Sequence, residues 1–320
     1  MQALWLEDQQ LSFRSAVPTP IPEPGQALIH VALAGVCSTD LELLRGYYPF
    51  SGIPGHEFVG KVVSSGDDTA WVGRRVVGEI NIACGDCETC RSGLTRHCEL
   101  RKALGIHDWN GAFGEYLVLP LSNLHAVPDQ VPDEMAVFTE PLAAAGEILE
   151  QVEIKPADRV LVIGAGRLGQ LVAVVLHETG CDLEVVARHP KQRKLLANLN
   201  IKTVFKENLH PRRYGVIVDA TGSADGFALA KHLIRPRGTI MLKSTFKGNA
   251  EVNFSQVVVD EVTLIGSRCG PFEPALGWMA EGHIDPRPLI EAIYPLEKGI
   301  EAFERAAKPG VLKVLVRPGG

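Results

Sequence analysis

Residues 160–169 read Val160-Leu-Val-Ile163-Gly164-Ala-Gly166-Arg-Leu-Gly169. Four apolar residues suit a strand buried on both faces, and the glycines that follow open a helix-like stretch, Leu168–Glu178. A second strand candidate, Glu184–Ala187, completes the unit. In that setting G-x-G-x-x-G is a dinucleotide-binding turn. Gly164 permits the tight turn, Gly166 lets the backbone approach a pyrophosphate, and Gly169 lets the helix pack close to the sheet. The backbone N–H groups of Arg167 and Leu168 then face a phosphate from the helix N-terminus.

Working outward, buried-type strands recur at Thr203–Phe205, Val216–Asp219, Thr239–Leu242 and Val262–Gly266, with helical stretches such as Pro190–Leu199 among them. This alternation predicts a doubly wound parallel sheet of six strands covered on both faces. The connection Lys206–Gly215 is too short for a full helical crossover. Upstream, Ala27–Ala34, Phe58–Ser64, Arg74–Gly78 and Tyr116–Pro120 read as strands separated by Pro24-Gly25, Ser65-Gly66 and Asn110-Gly111. That part is expected to form an irregular antiparallel β-rich domain. Downstream, Leu312-Lys-Val-Leu-Val-Arg-Pro reads as a closing strand that rejoins it.

The chain has 320 residues, more than one hydrophobic core usually covers, so two domains are expected. A net charge of −6 disfavours general nucleic-acid or anionic-membrane binding. No apolar run approaches the roughly 18 residues that span a bilayer, and the start, Met1-Gln-Ala-Leu-Trp-Leu-Glu-Asp8, lacks the basic region of a signal peptide. A cytoplasmic protein is expected.

Four of the seven cysteines fall in Cys84-x2-Cys87-x2-Cys90-x7-Cys98. Four thiolates satisfy tetrahedral zinc and leave no open position, so this cluster is expected to fold a lobe and do no chemistry. The residue that contacts the adenosine ribose lies about 20 positions past the glycines. There the sequence reads Val185-Val-Ala187-Arg188-His189, with Lys191 and Arg193 following. An acid would hold the 2′-hydroxyl of NAD and repel a 2′-phosphate, whereas Arg188 can fork onto that phosphate, which favours NADP over NAD.

Read with "MQALWL", "AGVCSTD", "GHEFVG", "GAFGEYLVLP", "TEPLA", "VDATG", "IGSR" and "KVLVRP", the chain resembles the zinc-dependent medium-chain dehydrogenases/reductases, the alcohol dehydrogenase superfamily, nearly end to end. The polyol, sugar and threonine dehydrogenase branch is the nearest in kind, because Glu140 stands where alcohol dehydrogenases carry a second zinc-binding cysteine. The resemblance implies a discontinuous GroES-like catalytic domain, residues 1–142 and 272–320, around a Rossmann domain, residues 143–271. It implies a catalytic zinc on Cys37 and His56, with Glu57 as a third ligand, direct or exchanging with water, and Glu140 as a ligand or a hydrogen-bond partner of the zinc-bound water, so two zincs per chain. It also implies Asp40 accepting from the His56 ring, and Thr39 holding the substrate hydroxyl and passing on its proton.

With one thiolate, one carboxylate and a neutral imidazole around Zn²⁺ the charges cancel, so only one of Glu57 and Glu140 is expected to bind tightly during turnover. The implied activity is hydride transfer between NADP(H) and an alcohol or carbonyl of the polyol, sugar or secondary-alcohol class, in a homodimer or homotetramer paired through Val262–Gly266. The alternatives are an NAD-dependent polyol or amino-acid-alcohol dehydrogenase and a non-catalytic NADPH-binding sensor. Tyr47, Trp109, Phe113 and Phe272 are candidates to line a substrate cleft between the domains, or else ordinary core aromatics. Two departures stand out. Ser38 replaces a glycine common in this segment, and Glu42 occupies the place of a relay histidine.

Overall fold

The computed structural model describes residues 1–66, 68–245 and 248–318. It forms two compact units, Met1–Glu140 with Phe272–Gly320, and Pro141–Pro271.

The first unit opens with the hairpin β1 (Ala3–Glu7) and β2 (Gln10–Arg14). Its two turn residues, Asp8 and Gln9, take φ of 49° and 63°, the left-handed twist that two-residue hairpin loops require. In β3 (Gln26–Gly35) buried and half-buried residues alternate, as a strand with one face on the core should. Then come α1 (Ser38–Leu43), β4 (Glu57–Ser65), β5 (Arg75–Gly78), β6 (Asn81–Ile82), α2 (Glu88–Arg91) and β7 (Lys102–Ala103). β8 (Tyr116–Pro120), β9 (Leu124–Ala126) and α3 (Asp133–Ala136) follow, and the chain leaves through α4 (Thr139–Gln151).

The second unit runs β10 (Arg159–Ile163), α5 (Arg167–His177), β11 (Asp182–Val186), α6 (Pro190–Asn198) and β12 (Lys202–Val204). It continues with β13 (Tyr214–Asp219), α7 (Ala224–Leu233), β14 (Ile234–Leu242), α8 (Phe254–Val259) and β15 (Thr263–Gly266). All six strands are parallel, in the order β12-β11-β10-β13-β14-β15. This is the doubly wound order with its reversal beside β10, where ligands bind at the carboxyl ends of strands. Between β12 and β13 the only regular structure among the described residues is a single 3-10 turn, Lys206–Asn208, as the short connection requires. The centre is apolar and packed: all of β13 is buried, with Ile217 in a cluster with Leu161, Ile163, Phe227 and Ile240.

The tail returns to the first unit as α9 (Phe272–Ala280), β16 (Ile290–Pro295), α10 (Gly299–Ala306) and β17 (Lys313–Arg317). β17 pairs antiparallel with β3, in a sheet ordered β16-β17-β3-β4-β5-β9 with β8 also on β3. One pair departs from the antiparallel expectation: β16 and β17 are parallel. The helix α10 between them supplies the crossover that parallel neighbours need. Its apolar face, Ala302, Phe303 and Ala306, joins the core with Leu4 and Phe113.

Two of the proposed lining aromatics are buried. Phe113 is fully buried edge-on to Phe303, ring centres 5.2 Å apart, and Phe272 is buried beside His125. Trp109 is half-buried, its indole N–H donating to the Val118 carbonyl at 2.7 Å. Among the described residues no helix is long and apolar enough to cross a membrane.

Candidate functional site

The loop between β3 and α1 builds the first cluster. Cys37 precedes α1, and its N–H donates to Asp40 Oδ2 at 2.8 Å, so Asp40 caps the helix and fixes the thiol's position. The other oxygen of Asp40 lies 3.3 Å from His56 Nδ1, and neither atom has a hydrogen bond elsewhere. His56 sits just before β4 and Glu57 begins it. The topology thus brings together residues 20 apart in sequence. Donor atoms of Cys37, His56 and Glu57 lie within 4.8 Å of one another, and His56 and Glu57 are buried.

With Asp40 facing Nδ1, the imidazole can present Nε2 to a metal. Burial disfavours the charged imidazolium, but the Asp40 carboxylate and Cys37 thiolate more than offset this and raise the His56 pKa well above its ordinary value. The surroundings therefore attract a cation. Thr39 Oγ1 is 3.9 Å from Cys37 Sγ, at the edge of the cluster. Glu140, in the first turn of α4, stands outside the three-residue group. Glu42 pairs with Arg45 at 2.6 Å and faces solvent in part.

Lys313 escaped the sequence reading. From β17 it forms a buried ion pair with Glu57 Oε2, and its ammonium also lies 5.6 Å from the Phe138 ring centre. Gly35, opposite Glu57 in the sheet, makes room for the pair, since a side chain there would collide with the same carboxylate oxygen. The sequence held one signal, a lysine inside the apolar run Leu312-Lys-Val-Leu-Val316, where an unpaired charge would be costly. Lys313 also alters the charge count. Zn²⁺, Cys37, Glu57 and Lys313 would sum to +1 rather than zero, and the simple count no longer excludes a second carboxylate.

The second cluster is Cys84, Cys87, Cys90 and Cys98, whose sulfurs also fall within 4.8 Å of one another. The sulfurs are 3.5 Å apart for Cys84–Cys98 and 3.9 Å for both Cys84–Cys90 and Cys87–Cys98. Four sulfurs at Zn–S bonds of about 2.3 Å should be about 3.8 Å apart, so the lobe fits tetrahedral zinc. Backbone N–H groups of Cys90 and Glu99 lower the Cys87 pKa to about 6, which favours the thiolate a metal needs.

In the second unit, Gly164 has φ +97°. A Cβ at Gly169 would collide with the Gly164 carbonyl oxygen, whereas one at Gly166 would meet nothing within 4 Å. The space before α5 is therefore open on the side a pyrophosphate would approach. Gln170 was also missed. Buried in α5, it donates to the Ala165 and Gln192 carbonyls, both at 3.3 Å, tying the glycine turn to α6.

Beyond β11, Ala187 is buried and Arg188 exposed. Arg193 donates to the Arg188 carbonyl at 2.8 Å and so holds that turn. The one acid within the apolar part of β11, Glu184, is buried and committed to Tyr214 and Lys202. Burial would raise its pKa, but those two partners more than offset this and lower it.

The comparisons agree with this architecture. Residues 23–129 match the Alcohol dehydrogenase GroES-like domain. An L-threonine 3-dehydrogenase of Xanthomonas campestris pv. campestris is 31% identical over 285 residues, 83% of this chain and 81% of the relative. A solved structure described as a zinc-binding dehydrogenase of Sinorhizobium meliloti 1021, bound to NADP, superposes with a TM-score of 0.92 at 27% identity, covering 99% of each chain. An alcohol dehydrogenase of Escherichia coli CFT073 complexed with NADH superposes with a TM-score of 0.90 at 26% identity, again covering 99% of each. The chain belongs to the zinc-type medium-chain dehydrogenases/reductases, the alcohol dehydrogenase superfamily. It is an oxidoreductase of the alcohol and polyol class, with a Rossmann fold, a GroES-like domain and a nicotinamide cofactor.

Proposed function

We propose that this enzyme moves a hydride between NADP(H) and an alcohol or carbonyl of the polyol, sugar or secondary-alcohol class, using one zinc for chemistry and a second in the cysteine lobe. The observation that carries the proposal is the convergence of Cys37, His56 and Glu57, together with a separate group of four cysteines, Cys84, Cys87, Cys90 and Cys98. When bound, zinc polarises the substrate oxygen and the nicotinamide exchanges the hydride. Cys37 and His56 hold the metal, while Asp40 orients the imidazole. The Thr39 hydroxyl accepts the proton of the substrate alcohol and passes it towards solvent. With both groups bound, the net change would be loss of one proton and one hydride from the alcohol to give the carbonyl. Glu140, the last residue of the first unit's Met1–Glu140 segment, is a further ligand or a hydrogen-bond partner beside the metal.

The choice of NADP rests on Arg188 and on the absence of an acid at the end of β11. Arg188→Ala should raise the Kd for NADPH by roughly 10- to 100-fold, the loss of one charge-assisted contact, and leave that for NADH nearly unchanged. Titration of both coenzymes by fluorescence reads this directly. Equal effects on the two would sink the NADP assignment.

A second copy of the chain is the expected partner of β15, the outer strand of its sheet. Phe254, Val258 and Val259 of the neighbouring α8 are more than 70% exposed, and Leu264 of β15 is 36% exposed. Light scattering should give a dimer or tetramer; a monomer at micromolar concentration would exclude this pairing.

A further inference from the structure

Glu57 and Lys313 come from opposite ends of the chain and meet where apolar strands surround them. Glu57 is 1% exposed and Lys313 3%. Desolvating two charges is costly, so a pair this deep persists only when each group has a partner. Lys313 bonds one oxygen of a carboxylate that also belongs to the cluster with Cys37 and His56. The same carboxylate is thus claimed from two sides, by a fixed cation and by the metal position.

We infer that Lys313 is a positioning residue that keeps Glu57 an exchangeable rather than a permanent zinc ligand; this rests on the proposed catalytic zinc. With Lys313 in place, Glu57 has a counter-charge that does not depend on the metal. Its charge is then mostly withheld from the site, which stays electron-poor enough to polarise a substrate oxygen. Lacking Lys313, the buried carboxylate would have only the metal to neutralise it and would stay bound there.

The test uses full-length protein with Co²⁺ substituted for zinc. Metal content of the wild type is measured first. Uptake at the cysteine lobe alone would overturn the site reading, and this inference with it. With both sites loaded, Lys313→Gln removes the charge but keeps a donor to Glu57. It should shift the visible Co²⁺ absorption bands and slow metal loss to a chelator by about tenfold or more, the usual scale for groups that orient a ligand. Lys313→Arg should leave both near wild type. If Lys313→Gln matches the wild type in both, the inference fails.

Should the single variant not fold, Lys313→Met with Glu57→Gln leaves no buried charge. If Glu57 is withheld in the native protein, this pair keeps the wild-type Co²⁺ spectrum and chelation rate. A loss of metal affinity of about tenfold or more would mean that Glu57 was a permanent ligand all along.

Discussion

Taking Lys313 away strands a carboxylate among Cys37, Phe138 and the sheet, whereas taking both charges away strands nothing. Lys313→Met should therefore destabilise the protein by about 3–5 kcal/mol, and Lys313→Met with Glu57→Gln by much less. Urea denaturation with the Cys37–His56 site left free of metal checks the difference, since bound metal would itself neutralise Glu57. A single variant as stable as the double would mean that Glu57 finds another counter-charge. Only part of this site is legible in the amino-acid order. Cys37, Asp40 and His56 can be picked out because recurring motifs surround them. Lys313 lies 256 residues from Glu57, and its partner emerges only once β17 pairs with β3.

At the scale of the element, α5 separates two jobs that a glycine-rich turn combines. Gly169 is needed by the fold, since its missing side chain is where the Gly164 carbonyl sits, while Gly166 faces open space. Gly169→Ala should lower the melting temperature and weaken coenzyme binding together. Gly166→Ala should leave melting nearly unchanged and weaken coenzyme binding alone, because its methyl would meet the pyrophosphate rather than the protein. Thermal melts with and without NADPH separate the two; a stable, tightly binding Gly169→Ala would contradict the packing argument.

The strands around α5 were readable because an apolar run buried on both faces leaves few alternatives in sequence. The edges were less so. β14 begins at Ile234, well before the apolar Thr239–Leu242 stretch, through Arg235-Pro-Arg237-Gly238, whose charges, proline and glycine carry no strand pattern. The parallel β16–β17 pair was equally hidden, since direction within a sheet is set by the intervening α10 and not by either strand's own pattern.

The whole first unit is assembled from both ends of the chain, and His125 is one of its fasteners. On β9 it stands 3.3 Å from Glu79 and 3.0 Å from Glu273 of α9, against the Phe272 ring. Burial lowers the imidazole pKa, but the two carboxylates more than offset this and raise it above its ordinary 6.5. A raised folded pKa means that the ion pairs contribute fully below about pH 6.5 and fade as pH climbs through the folded value. The melting-temperature gap between wild type and His125→Asn should be largest in mild acid and shrink towards alkaline pH. A gap independent of pH would show that His125 acts by packing alone.

The two groups of candidate metal ligands also sit in this unit, so zinc content can count them. Zinc per chain, measured by elemental analysis for the wild type and for His56→Ala, tests the two-zinc proposal most directly. Two zincs are expected in the wild type and one in His56→Ala, because Cys84, Cys87, Cys90 and Cys98 are untouched by the substitution. One zinc in both proteins would leave the cysteine lobe as the sole metal site, remove the electrophile from the proposed chemistry, and contradict the proposal.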